Sequence, residues 1–225
     1  MISTTILSLS RPRFWLYFLG PYILGISTVT TPTDLLRFDV LYGLLYFLLP
    51  ANILVYGIND YFDADIDVTN PKKYKQEMLM RDNKRTLYRT AVFLSILLAL
   101  PLLFINTIVS ISLVLFIIIG LLYSSPPIRL KTKPFLDSLS NFFYILPGVI
   151  GFAMINAQLP HSTILIAASL WAIAMHLFSA IVDIEADQKA GINTTATILK
   201  RRKSILLTSF LWLLSVLLVV PYSPV

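Results

Sequence analysis

The sequence predicts an all-α fold, a polytopic bundle of about seven transmembrane helices, and three observations carry that prediction. First, the 225 residues are 56% hydrophobic and 13% charged, with a mean hydropathy of +0.77, a balance that no water-soluble surface accommodates. Second, windows without Asp, Glu, Lys or Arg run through 14–30, 40–59, 90–128, 138–182 and 204–225. Third, the basic residues fall into blocks that an alternating topology would place on one side of a bilayer.

The helices follow in order from the windows. Residues 14–30 and 40–58 each suit one span. The stretch 90–123 holds 34 residues, about 51 Å of helix against a hydrocarbon core of about 30 Å. It must therefore fold back, near Asn106-Thr107, into spans 88–105 and 107–124. The same argument divides 138–182 at Gln158-Leu-Pro-His161 into 139–157 and 163–182, and 204–221 completes the seven. Pro21, Pro50, Pro101 and Pro147 fall inside these spans, where prolines are tolerated and can kink a helix. Arginines precede the first span but no small-residue cleavage site follows it, so it reads as a retained helix.

With the N-terminus cytoplasmic, the inside segments hold Arg11 and Arg13; Lys72, Lys73, Lys75, Arg81, Lys84, Arg85 and Arg89; Arg129, Lys131 and Lys133; and Lys189 and Lys200 to Lys203. Only Arg37 of the 18 Lys and Arg is left outside. The net charge of +6 is thus mostly a topology signal and calls for no nucleic-acid partner. Cysteine is absent, which excludes disulfides and thiolate metal sites and leaves oxygen ligands or the two histidines.

The acidic residues concentrate at the cytoplasmic ends of two spans. "GINDYFDADID" contains Asn59, Asp60, Asp63, Asp65 and Asp67, and "VDIEADQKAG" contains Asp183, Glu185 and Asp187. Superimposed, the stretches pair Asn59 with Asp183, Asp63 with Asp187 and Asp67 with Gly191, the mark of an internal duplication. If the helices continue through them, Asn59, Asp63 and Asp67 share one face at i, i+4 and i+8, as do Asp183 and Asp187. Rows of oxygen ligands suit Mg²⁺, which keeps several waters and bridges one or two carboxylates to substrate phosphates. Two such rows would clamp a diphosphate through shared metals.

Other readings compete. A solvated rim would account for one acidic cluster, and the second weighs against it. A calcium loop starting at Asp63 fails, with Val68 where Gly is required and Tyr74 where Glu is expected. A cation transporter would place its carboxylates near the bilayer midplane, whereas these lie at span ends. His176, seven residues before Asp183, stays open as a base, a polar contact or a packing histidine, and His161 lies in an outside turn.

"NDYFDADID" and "DIEADQKAG" resemble the NDxxDxxxD and DxxxDxxxG motifs of the UbiA-type intramembrane prenyltransferases, in order and in position along nearly the whole chain. The resemblance implies that Asn59, Asp60, Asp63, Asp67, Asp183 and Asp187 hold Mg²⁺ and through it an isoprenyl diphosphate. Asp63, Asp67, Asp183 and Asp187 would act catalytically through the metal, not as general bases. Asp65 and Glu185 fall at variable positions. "YSSPPIRLKTKP" looks like the family loop that offers a tyrosine and cations to the diphosphate, here Tyr123, Arg129 and Lys131, with Arg11 and Lys72 as further candidates. A topology or lipid-headgroup role remains the alternative for these cations.

The implied chemistry is ionisation of the allylic carbon–oxygen bond as Mg²⁺ and cationic side chains neutralise the leaving group, followed by attack of a lipophilic acceptor. A bundle open to the bilayer would keep water from the cation and admit the acceptor sideways. "LSRPRFWLYFLGP" and "PANILVYGINDYFDADIDVTNPKK" look most like the lycopene elongase branch, so the favoured acceptor is lycopene or a related carotenoid. An aromatic or quinone-precursor prenyltransferase is the alternative. From another class, a non-catalytic lipid-binding or cation-conducting membrane protein would be excluded by metal-dependent pyrophosphate release. Family members usually have nine helices, so residues 1–225 are expected to form one such domain lacking its last two. On that expectation the chain is a fragment, or those helices are dispensable, or a second copy completes the wall. The location implied is the cell membrane, multi-pass, with the N-terminus and both motifs cytoplasmic.

Overall fold

The structure is a computed structural model that describes residues 2–28, 31–67 and 85–222, with side chains over 6–28, 31–63 and 85–222. Among the described residues the regular elements are all helical, as lipid demands of a backbone that must satisfy its own polar groups. In chain order the α-helices are α1 (Ile2–Leu9), α2 (Leu16–Ile26), α3 (Phe38–Leu48), α4 (Pro50–Asp67), α5 (Arg85–Leu97), α6 (Thr107–Ser124), α7 (Leu136–Leu139), α8 (Leu146–Asn156), α9 (Ser162–Ala180), α10 (Ile184–Lys189) and α11 (Thr195–Val219). Among the described residues six stretches are long and apolar enough to cross a bilayer: Phe38–Asp63, Arg85–Phe104, Thr107–Ser124, Leu136–Asn156, Ser162–Lys189 and Thr195–Tyr222. The seventh expected span appears as the shorter α2. A 3-10 turn at Pro12–Phe14 delays its start, and the Ser27 and Thr28 hydroxyls close its end on the Leu24 and Gly25 carbonyls.

Two units emerge from the packing, Met1–Pro127 with Leu146–Leu159, and Ile128–Ile145 with Pro160–Val225. In the first, α2 packs on α8 and α3, α4 on α5 and α6, and α6 on α8. Association in lipid relies on close packing, because the hydrocarbon outside is as apolar as the interface. Glycines permit it here: a Cβ at Gly25 would overlap the Gly148 carbonyl oxygen, and one at Gly151 would lie 2.6 Å from the Tyr22 carbonyl oxygen. The Phe116 ring meets Phe18 and Phe47 edge-on, with centroids 5.1 and 5.7 Å away.

Both predicted helix breaks are present, one before Thr107 and one between Asn156 and Ser162. Asn106 caps α6 by accepting from the Val109 N–H at 3.0 Å, while its amide nitrogen donates to the Ala153 carbonyl at 3.0 Å. His161 caps α9 in the same manner, accepting from the Thr163 N–H. The span expected at 40–58 lies within Phe38–Asp63, and its helix is interrupted between α3 and α4, because Pro50 has no N–H to continue the ladder. The buried Asn52 amide compensates by donating to the Phe47 and Leu48 carbonyls at 2.9 and 3.0 Å. Pro101 similarly ends α5 at Leu97 and leaves a 3-10 turn at Leu100–Phe104.

A helix that the sequence did not predict, α1, precedes all of these. Its Leu9 joins Ile53 and Tyr88 in a buried cluster, with Ile6 packed alongside. In the second unit α9 runs along α11, and the Ser215 hydroxyl donates to the Ala167 carbonyl at 2.8 Å. Lys200, at φ 60°, breaks α11 where the apolar span begins.

Candidate active site

The first acidic motif lies on α4, which continues through Asp67 as its spacing predicted, so Asn59, Asp63 and Asp67 occupy i, i+4 and i+8. Asp60 and Asp63 are buried, at 6% and 8% exposure, which for carboxylates demands compensation. For Asp60 it comes from Arg11, whose guanidinium pairs with its Oδ1 and lies 5.0 Å over the Tyr56 ring. Arg11 is aimed there by a left-handed backbone (φ 49°) at the end of α1, where the Ser10 hydroxyl donates to the Leu7 carbonyl and accepts from the Trp15 indole. Asn59 donates its amide nitrogen to the Ser124 hydroxyl at 3.1 Å, which commits the nitrogen end of that amide. The side chains of Asp65 and Asp67 lie outside the described residues, as do Lys72 and Lys73 altogether.

The second motif departs from a continuous helix. After α9 the chain tightens into a 3-10 turn, Ile181–Asp183, before α10 resumes, so Asp183 sits at a helix start and Asp187 within the following turns. Both are half-buried and Glu185 is exposed, as its variable position implied. The motif's last residue, Gly191, has φ +68° and closes α10: its N–H reaches the Gln188 carbonyl at 3.1 Å and the Ile192 N–H reaches Asp187 at 2.9 Å. That paired geometry is the Schellman turn, and it requires the left-handed conformation glycine adopts freely. The turn brings the chain back so that the Thr194 hydroxyl donates to Asp187 Oδ2 at 3.4 Å.

In the loop expected to carry cations, Arg129 and Lys131 are half-buried and Lys133 is exposed. Arg129 has φ 42°, and its carbonyl accepts from both the N–H and the hydroxyl of Thr132 at 2.9 Å. Tyr123 is half-buried near the end of α6. His176 counts Asp137 among its electrostatic neighbours. Sequence reasoning missed Ser124, Asp137 and Thr194. Ser124 stands beside a residue singled out, so its neighbourhood was a usable signal; Asp137 and Thr194 carried none.

A groove of about 660 Å³ in the first unit is lined by Ile58, Tyr61 and Phe62 of α4 and by Tyr88, Arg89 and Phe93 of α5. Phe62 stands at i+3 from Asn59 on α4, and Ser125 of the lining follows Ser124, so the groove borders the motif face. Among the described residues no three acidic or histidine side chains form a ready metal cage. The donor set nonetheless fits Mg²⁺, because this ion takes one or two carboxylates and completes its octahedron with water and substrate phosphate.

The sequence matches the UbiA prenyltransferase family over residues 14–225. It is 44% identical to a lycopene elongase/hydratase of Haloarcula japonica, covering 93% of this chain and 72% of that protein. To a protein of the same name from Halobacterium salinarum it is 41% identical, covering 92% and 75%. Among solved structures, a UbiA homolog from Archaeoglobus fulgidus bound to GPP and Mg²⁺ superimposes with a TM-score of 0.80 at 27% identity, over 96% of this chain and 76% of that one.

Proposed function

We propose, from the premise that this chain belongs to the UbiA prenyltransferase family, that its isoprenyl acceptor is lycopene or a closely related carotenoid. It is a membrane-embedded prenyltransferase, and the transferred group is an isoprenyl unit. The observation that carries the acceptor is the 44% identity with the Haloarcula japonica elongase/hydratase, sustained across 93% of this chain.

In this reading Asn59, Asp60, Asp63 and Asp67 of the first motif and Asp183 and Asp187 of the second hold Mg²⁺, with Asp60 balanced by Arg11. The ion, when bound, supplies Lewis-acid neutralisation of the departing diphosphate. Arg129 and Lys131 place fixed cations on the diphosphate oxygens and the Tyr123 hydroxyl donates to them, with Lys72 as a further contact. The allylic carbon–oxygen bond breaks, a carbon–carbon bond forms at the carotenoid end, and the acceptor then loses a proton or takes up water. Aromatic side chains near the motif, Tyr56 with Phe14 at 5.4 Å and Phe18 at 6.2 Å between ring centroids, keep that face of α4 dry. Both motifs and the N-terminus lie on the cytoplasmic side.

The test is direct. Purified protein in lipid vesicles loaded with lycopene, given a short allylic diphosphate, releases pyrophosphate with Mg²⁺ and not with EDTA. Release that needs no lycopene-type acceptor, or that proceeds only with a phenolic acceptor, overturns the carotenoid reading.

A further inference from the structure

Asp137 is the most deeply buried carboxylate among the described residues, at 0% exposure, and neither motif contains it. Both of its oxygens accept from a residue 58 positions away, Oδ2 from the Thr195 N–H at 2.9 Å and Oδ1 from the Thr195 hydroxyl, and His176 is a further electrostatic neighbour. The same hydroxyl oxygen accepts from the Phe135 N–H at 2.7 Å. Phe135 has φ 65°, a conformation unfavourable for a large side chain and held here by that bond.

A plain helix-capping role would explain a carboxylate at the first turn of α11. That role is already filled in part. Thr194 caps α11, accepting from the Thr197 N–H at 3.3 Å, while the Thr197 hydroxyl accepts from the Thr194 N–H at 2.8 Å. Asp137 takes the Thr195 N–H that this box leaves over, and does so at the cost of burying a carboxylate, more than a single remaining cap bond requires. What Asp137 adds is a junction. On one side, backbone bonds run from Asp137 N–H to Lys133 and from Lys133 N–H to Leu130, into the loop of Arg129 and Lys131. On the other side Thr195 adjoins Thr194, whose hydroxyl donates to Asp187.

We propose that Asp137 and Thr195 are positioning residues that lock the Arg129–Lys131 loop to the 191–195 turn and, through the Thr194 hydroxyl, hold the Asp187 carboxylate in place for a divalent cation. The inference rests on the reading of Asp187 as a metal ligand. Partners that orient a ligating carboxylate typically matter about 10- to 100-fold in metal affinity. The arrangement thereby sets the second motif and its neighbouring cations as one piece.

The experiment measures Mn²⁺ binding by electron paramagnetic resonance, with inorganic pyrophosphate present, to full-length protein in nanodiscs. Wild type is compared with Thr195→Val, Thr195→Ser, Asp137→Asn and Asp187→Asn, and each is also melted in EDTA. Thr195→Val, which keeps shape and removes the hydroxyl, is expected to weaken Mn²⁺ binding about 10- to 100-fold. Thr195→Ser restores most of it, and Asp137→Asn falls with Thr195→Val. Should Thr195→Val fail to fold, Asp137→Asn decides by the same readout. Wild-type Mn²⁺ affinity in folded Thr195→Val or Asp137→Asn, with affinity lost in Asp187→Asn, overturns the positioning role and leaves the metal reading standing. Wild-type affinity in Asp187→Asn overturns the metal reading and this inference with it.

Discussion

Arg11 and Asp60, 49 positions apart, form a buried ion pair that ties the turn after α1 to the first acidic motif on α4. The side chains are 10% and 8% exposed, so removing one partner strands the other's charge in a poorly solvated place. Arg11→Ala is expected to cost about 3–5 kcal/mol of stability, read as a lowered melting temperature in detergent. Asp60→Asn in the same chain recovers part of that loss, a coupling that a double-mutant cycle isolates. An Arg11→Ala protein that melts like wild type and shows only a raised KM for the isoprenyl diphosphate would return Arg11 to the role of an anion contact.

The α2–α8 contact sets up a second comparison. A methyl group at Gly25 would overlap the Gly148 carbonyl oxygen and lie 2.7 Å from the Phe152 nitrogen, whereas one at Gly20 would meet nothing within 4 Å. Gly25→Ala is expected to destabilise by about 1–3 kcal/mol through overpacking, and Gly20→Ala to leave the melting temperature near wild type. Equal melting temperatures for the two variants would contradict the close packing.

At the second motif, Gly191 has open space around its Cβ position, so its requirement is conformational. Gly191→Ala must hold φ near +68° at a cost of about 1–2 kcal/mol, or reopen the turn that returns Thr194 to Asp187. Isoprenyl transfer is expected to fall more in Gly191→Ala than in Gly191→Asn, because asparagine tolerates the left-handed region. Kinetics of the two variants side by side check this.

Metal dependence follows from the donor set. Chelation with EDTA is expected to stop isoprenyl transfer and added Mg²⁺ to restore it. Ser124→Ala, by removing the hydroxyl that holds the Asn59 amide nitrogen, is expected to raise the Mg²⁺ concentration needed for half-maximal rate about 10- to 100-fold. A Ser124→Ala enzyme with wild-type Mg²⁺ dependence would show that the Asn59–Ser124 bond does not serve the metal.

Much of the fold was legible because its signals are local. A 34-residue apolar run cannot cross as one helix, and Asn106 at its middle is a side chain that caps helices, so the reversal there could be placed to the residue. The break at Pro50 was visible only as a proline; that it divides the span depends on Asn52 taking up the carbonyls left behind. Helix α1 is set by tertiary contact of Ile6 and Leu9 with α4 and α5, which no window of sequence records. The motif residues announced themselves by charge in an apolar chain. Asp137 did not, since its meaning lies in Thr195, 58 residues later, and Arg11 read as a candidate contact for the diphosphate, its pairing with Asp60 lying 49 positions away.

The central claim is transfer to a carotenoid through the two acidic motifs. It is tested most directly by mass spectrometry of carotenoids from lycopene-producing bacteria that express this chain, beside Asp63→Asn and Asp187→Asn controls. Products one or two prenyl units heavier than lycopene, with or without added water, are expected from the wild-type chain and absent from both controls. Unchanged lycopene in cells whose membranes contain the correctly inserted protein, or heavier products that persist in the two variants, would contradict it.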